Sequence, residues 1–576
     1  MTREEVDLTK VTPMMKQYLD IKEKNQDLIL FYRLGDFYEM FFEDAILGSH
    51  ELELTLTGKN AGLDEKIPMC GIPFHAANIY IDRLVEKGYK VGICEQLEDP
   101  RLAKGIVSRG IVQIVSSGTV FNNESLNASE NNYIGNIMDY NHAYCISYAD
   151  ITTGDIYVCL LDHNISKLVS EIVSIGIKEV VVHDSLDKNI YSLLKNNFKI
   201  SVSINNNIDD LDQYSYIYED IGDIRLSQTI KHLLTYINKT QLRDLTHLMK
   251  AIVKENKNYL KMDIHTKRNL ELTETLRLKQ RNHSLIWLLD KTKTAMGSRM
   301  LKNFIENPLV NKKEIERRYD CVETLLEQFI LTSDLQKYLL EVYDLERLSG
   351  RIAFGSANGR DLLQLKTSLK VLPNLKNILK ELNFGKDIDS LDHLYTLLDN
   401  SLYDNPPLSI KEGYLIKTGF NSELDELKSL RKGGKDFIAQ FEIAEKEKTG
   451  IKNLKVGYNR IFGYYIEISR GNTSLVKDEF GYERKQTLAN CERYISPILK
   501  EKEALILNAE EKNINYLQIL GKKLKSIFLN YKVFLRLLVK LMFYKRLQWW
   551  LRLIIMLDQL LVKQGVLKCW IIVIRL

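Results

Sequence analysis

At 576 residues the chain has room for about four domains of ~150 residues each. With 45% hydrophobic and 27% charged residues it reads as a soluble protein rather than a membrane-spanning one. Its net charge of +4 is uneven: residues 521–576 hold twelve Lys and Arg against one acid, Asp558, so residues 1–520 carry a net −7 and any nucleic-acid-binding surface has to be local.

The N-terminal residues Met1 to Asp7 are charged, with no apolar run behind them, which argues against a signal peptide. Seven scattered cysteines without a C-x-x-C pair suggest free thiols in a reducing compartment, so a cytoplasmic location is expected.

Residues 1–118 read as a small α/β domain. Residues 28–34 form a buried strand, and a helix follows through Glu43, Asp44 and Ala45. A helix over 75–85 ends at Gly88, and 90–94 is the next strand. Inside this domain lies Phe37-Tyr38-Glu39. In an extended strand residues i and i+2 share a side, so Phe37 and Glu39 would offer one ring and one acceptor to the same partner. Apolar wedges of this kind unstack base steps from the minor groove. A carboxylate beside a wedge repels phosphates and makes sense only at a base edge. Taken alone, the triplet reads as an amphipathic strand with Phe37 in the core.

The polar run at 122–127 is a linker by composition. Residues 130–250 alternate short apolar runs with helices, with a hairpin expected around Thr152-Thr153-Gly154. Asp150 and Asp155 flank it. They could hold Mg²⁺ for phosphodiester cleavage, or close a turn and end a strand. Residues 260–420 are helix-rich, and residues 421–515 place a strand-like stretch between two helical runs. From 451 to 500 there are nine Lys and Arg against five acids, interleaved with Tyr, Asn and Thr, as suits phosphate contact; a solvated hairpin is the other reading.

Several segments together resemble the MutS family of DNA mismatch-repair proteins. They include Thr12-Pro13-Met14-Met15-Lys16-Gln17-Tyr18, residues 31–39 around Gly35-Asp36-Phe37-Tyr38-Glu39, Leu54-Thr55-Leu56-Thr57, Pro68-Met69-Cys70-Gly71-Ile72-Pro73 and Glu95-Gln96-Leu97-Glu98-Asp99-Pro100. Further on, Asn307-Pro308-Leu309, Asp344-Leu345-Glu346-Arg347 and Arg484-Lys485-Gln486-Thr487-Leu488 follow in the family's order. The resemblance implies four domains: mismatch recognition (1–118), a ribonuclease-H-like connector (130–250), a mainly helical lever or core (260–420) and an inserted α+β clamp (421–515). The fold class is thus two α/β domains followed by helices. By the same resemblance Phe37 stacks on a mispaired base and Glu39 hydrogen-bonds to it. Arg109 is implied at the DNA backbone, as are Asn459, Arg470, Arg484, Lys485 and Arg493 in the clamp.

The family implies ATP, Mg²⁺, mismatched duplex DNA, MutL and a homodimer. None of the Gly-Lys pairs of this chain sits in a G-x-x-x-x-G-K-[ST] phosphate loop, so no nucleotide is expected on this chain, and dimers that depend on the ATPase are not expected either. The quoted likeness stops near Gln518. The Leu-rich, cationic tail holds Trp549, Trp550 and Trp570; it reads as frameshifted text, with a membrane-surface segment as the other reading. The expected function is mismatched-DNA binding. The alternatives are a fragment without binding function and a nuclease at Asp150 and Asp155.

Overall fold

The structure is a computed structural model that describes residues 6–7, 9–98, 106–121, 126–243, 245–255, 258–384, 390–407, 415–459 and 463–500. The tail beyond Lys500 and Asp99-Pro100 lie outside the described residues. Two compact units form among the described residues: one runs up to Ala357 and includes Thr367–Asp392, and the other joins Asn358–Lys366 to the residues from His393 to Lys500.

In the first unit, strands β1 (Leu28–Leu34), β2 (Phe37–Phe41), β3 (Thr57–Lys59), β4 (Ile67–Pro73), β5 (Lys90–Gln96) and β6 (Arg109–Val115) make one sheet in the order β3-β4-β2-β1-β5-β6. Helices α1 (Pro13–Glu23), α2 (Phe42–Leu52) and α3 (Ala77–Glu86) accompany it. Both faces of the sheet are covered: Phe31, Tyr38, Met40 and Ile72 enter one core, and Tyr18, Leu30, Tyr32 and Phe41 the other. This explains why β1 reads as a continuous apolar run, since a strand buried on both sides loses its alternation. Buried Asp44 ties the layers together. It accepts from Lys22 Nζ at 2.8 Å, Tyr18 Oη at 3.2 Å and the Leu30 amide at 3.0 Å, so no lone charge is left in the core.

The second sheet holds β7 (Tyr133–Asp139), β8 (Ala143–Asp150), β9 (Asp155–Asp162), β10 (Ile177–Val182), β11 (Ser201–Ile204) and β12 (Ile252–Val253), ordered β11-β10-β7-β8-β9-β12. The first three are antiparallel, whereas β10 and β11 run parallel with β7. Helix α6 (Ile224–Gln241) packs Ile230, Leu233 and Ile237 on one face; α4 (Ile165–Ile175) and α5 (Lys188–Ser192) pack Leu168, Ile172 and Ile190 on the other. The expected hairpin is present, with Asp150 directly opposite Asp155.

Helices α7 (Ile264–Asn269), α8 (Leu285–Leu289), α9 (Ala295–Glu306), α10 (Lys312–Glu327), α11 (Phe329–Leu339) and α12 (Leu345–Phe354) follow. Thr294 caps α9 and Asp344 caps α12, each side chain accepting a first-turn amide. Arg299 of α9 is buried and reaches Asp344 twice, at 2.7 and 2.8 Å, Glu346 at 2.6 Å, and the Ala128 carbonyl at 2.9 Å. Arg347 holds the Glu130 carbonyl at 2.6 Å. The described end of the polar run at 122–127 is therefore fastened to the helices: Asn127 gives its carbonyl to Arg347 at 3.2 Å.

Burial raises the Glu346 carboxyl to about 7, with Asp155 and Asp344 adding to the shift and Arg299 opposing it. A carboxyl raised above its unfolded value adds stability below about 4.5 that is lost as pH climbs through about 7. The melting temperature of this unit should therefore fall as pH rises from about 4.5 to about 7, by the equivalent of roughly 3 kcal/mol at most, and the slope should flatten in Glu346→Gln. An unchanged slope in that variant would assign the pH dependence elsewhere.

Helices α13 (Gly359–Lys370), α14 (Leu372–Glu381) and α15 (Asp392–Ser401) come next. The second unit holds the long helix α16 (Ser422–Thr449) and a four-stranded antiparallel sheet of β13 (Lys455–Asn459), β14 (Gly463–Ser469), β15 (Glu483–Thr487) and β16 (Cys491–Ile495), ordered β13-β14-β16-β15. Phe441 of α16 packs with Ile466, Ile468 and Tyr494 of the sheet. Among the described residues no helix is long and apolar enough to cross a membrane.

Candidate nucleic-acid interface

Strands β1 and β2 are joined by two residues, with Leu34 opposite Phe37. Gly35 supplies the left-handed conformation this tight hairpin needs, at φ +58°. The turn is pinned from outside. Arg33 Nε donates to the Gly35 carbonyl at 2.6 Å, the Phe74 amide donates to the Asp36 carbonyl at 2.9 Å, and the Arg33 guanidinium lies 3.8 Å from the Phe74 ring centroid.

Phe37 is the first residue past this turn and is 48% exposed, while Tyr38 and Met40 are buried. The reading of Phe37 as a core residue is overturned. Its face does carry a core, but that core is filled by Phe41, and Phe37 sits past its edge at the end of the strand. Phe74, 36% exposed, is a second apolar ring beside the same turn, and sequence reasoning gave it no role.

Glu39 is partly buried. Its carboxylate is paired with Lys59 Nζ of β3, a lysine that no pattern in the sequence linked to it. Tyr38 donates to Glu95, and burial together with that carboxylate raises the phenol's pKa. Arg109 is less available than expected: Nε holds the Arg33 carbonyl at 2.8 Å, and one terminal nitrogen holds the Val107 carbonyl at 2.9 Å and Gln17 Oε1 at 3.4 Å. It braces the hairpin that carries Phe37.

In the second unit, Arg493 of the inner strand β16 bonds Glu467 at 3.0 Å and Gln486 at 3.1 Å and lies 4.3 Å over the Tyr465 ring, so it stitches the sheet together. Arg470 holds the Ala489 carbonyl at 3.2 Å; Arg484 faces Glu492 at 3.4 Å, and Lys485 pairs with Glu483. Exposed pairs of this kind contribute about 0–1 kcal/mol and yield readily to a phosphate. Asn459 ends β13 opposite Gly463, and its side chain lies outside the described residues.

The nuclease alternative at Asp150 and Asp155 finds no support. Buried Asp150 uses one oxygen for Thr152 Oγ1 at 2.6 Å and the Thr152 amide at 2.9 Å, and the other for the Asn132 amide at 3.1 Å. Its lone pairs close the hairpin, as the turn reading has it. Among the described residues no group of three or more His, Cys, Asp or Glu side chains could hold a metal ion.

Fold and site define a multidomain protein in which two α/β domains, the first with an exposed aromatic hairpin, precede a helical region. Residues 12–124, 132–249 and 265–561 match the family descriptions MutS domain I, MutS domain II and MutS domain III, and the last runs past Gln518, where the resemblance was expected to stop. The chain belongs to the MutS family. It is 49% identical over 505 residues to the DNA mismatch repair protein MutS of Bacillus subtilis (strain 168), covering 87% of this chain and 58% of that protein. The protein of the same name from Bacillus licheniformis is 47% identical over 537 residues, covering 92% and 61%, and that of Bacillus pumilus 48% over 513, covering 88% and 59%. The chain thus spans about three-fifths of the length of these relatives.

Proposed function

We propose that this chain binds duplex DNA at mispaired or unpaired bases, as a component of DNA mismatch repair, with Phe37 as the wedge. The observation that carries this reading is an aromatic side chain, 48% exposed, on a braced hairpin, while Tyr38 and Met40 of the same strand are buried. A mispair lowers the energy of opening a base step, normally a few kcal/mol, so a rigid ring selects steps that open easily. Glu39 then meets the base edge. Lys59 offsets its charge against the flanking phosphates and keeps the carboxylate directed. Arg470, Arg484 and Lys485 supply backbone contacts that carry no sequence information, and Arg493 and Arg109 act by positioning.

ATP and Mg²⁺ serve the family's working cycle. The 576 residues contain no G-x-x-x-x-G-K-[ST] sequence, so they do not supply the family's phosphate-loop contacts to a nucleotide. MutL and a second copy of the chain are the partners that membership in the family brings to this proposal, with the cytoplasm as the place of action.

A 2-aminopurine placed beside a G·T mispair tests the wedge, because unstacking brightens it. Fluorescence should rise when the chain is added to the mispaired duplex and stay flat on the matched one. Equal responses would remove the wedge reading.

A further inference from the structure

Glu179 is a fully buried carboxylate in the middle of β10. A charge there is tolerated only if its oxygens are saturated with donors. They are, and the donors divide by domain. One oxygen accepts from the Ser116 hydroxyl and from the Gly118 amide at 3.1 Å, both in the turn that leaves β6. The other accepts from Ser203 of β11 at 2.5 Å and Tyr236 of α6 at 2.7 Å. The turn is shaped for this approach. Thr119 Oγ1 takes the Ser116 amide at 2.8 Å, and a Cβ on Gly118 would lie 2.9 Å from that of Glu179, so only glycine fits. Around the carboxylate the seam is polar: Ser117 meets Ser201 at 3.0 Å, and Gln241 bonds the Ile114 carbonyl at 3.3 Å.

From this arrangement we infer that Glu179 is a positioning residue, a lock that fixes the first domain, and with it the Phe37 hairpin, on the second. The inference rests on the mismatch-binding reading for its effect on DNA. The mechanical path is short: the locked turn follows β6, β6 pairs with β5, β5 with β1, and β1 runs into the Phe37 hairpin. Polar interfaces between domains of one chain ordinarily permit motion. A charge-assisted set of bonds at the pivot holds one angle and gives it up as a unit when the set is broken.

The test uses the full chain with Glu179→Gln, which puts an N–H₂ where an acceptor stood, and Ser116→Ala, which removes a single donor and keeps the test alive if the first variant does not fold. Two quantities are measured: amide exchange at residues 116–119, and the ratio of affinities for mispaired and matched duplexes. The lock predicts exchange faster by about tenfold and a ratio lower by about tenfold, with matched-duplex affinity unchanged. Unchanged exchange at 116–119 overturns the lock. Faster exchange with an unchanged ratio, or with both affinities falling together, overturns the positioning role. A wild-type chain that does not discriminate would fail the mismatch reading instead, and the exchange arm would still decide the lock.

Discussion

Phe37→Ala should lower affinity for a mispaired duplex by about 1–3 kcal/mol, roughly 5- to 150-fold, and leave matched-duplex affinity nearly unchanged. The ring is 48% exposed and belongs to neither sheet core, so its removal opens no cavity. Folding stability should stay within about 0.5 kcal/mol of the parent, as for other surface changes. Phe41→Ala is the contrasting control. Phe41 shares the strand but is fully buried, and its truncation should destabilise the first domain by about 3–5 kcal/mol. Fluorescence anisotropy with the two duplexes, beside thermal melts of both variants, separates the two effects. Equal loss on matched and mispaired DNA in Phe37→Ala would make the ring a general contact rather than a reader of weak steps.

The second large effect is expected far from that hairpin. Arg299→Ala removes a buried guanidinium and leaves Asp344 and Glu346 as two part-buried carboxylates without their shared partner, and strips the Ala128 carbonyl of its donor. Breaking a buried pair in this way typically destabilises by about 3–5 kcal/mol. Arg299→Lys should recover only part of the loss, because an ammonium cannot span both carboxylates as the planar fork does. Lys302→Ala is the control. Its bond to Glu130 is 2.8 Å long but partly exposed, and its loss should be below about 1 kcal/mol. Calorimetric melting of the three variants decides the matter. Equal losses for Arg299→Ala and Lys302→Ala would remove the special standing of the Arg299 junction.

Local patterning carried much of this structure. The runs at 28–34 and 90–94 became β1 and β5, the Thr152-Thr153-Gly154 turn became the β8–β9 hairpin, and Asp344 and Thr294 sit at helix starts as their residue types suggest. Other features had no local signal. Phe37 belongs by alternation to a buried face, and only the end of the core, set by the packing of α1 and α2 residues around Phe41, leaves it outside. Lys59 reaches Glu39 because β4 lies between their strands, a pairing twenty residues apart that no periodicity encodes. Arg109, expected at the DNA backbone by resemblance, is bonded to the carbonyl of Arg33, a contact made possible because β6 closes the sheet at that edge. Glu179 carried no signal in the sequence, because its four donors come from three separate stretches of chain. Long-range registry, rather than composition, decides each of these.

Selectivity for weakened base steps is tested most directly by a competition assay. The 576-residue chain is bound to a labelled duplex with one G·T mispair and challenged with unlabelled mispaired or matched DNA at one fixed salt concentration, since backbone contacts are salt-dependent. The wedge on its braced hairpin predicts that mispaired competitor displaces the label at a concentration at least about tenfold lower than matched competitor. Displacement at the same concentration by both would contradict it.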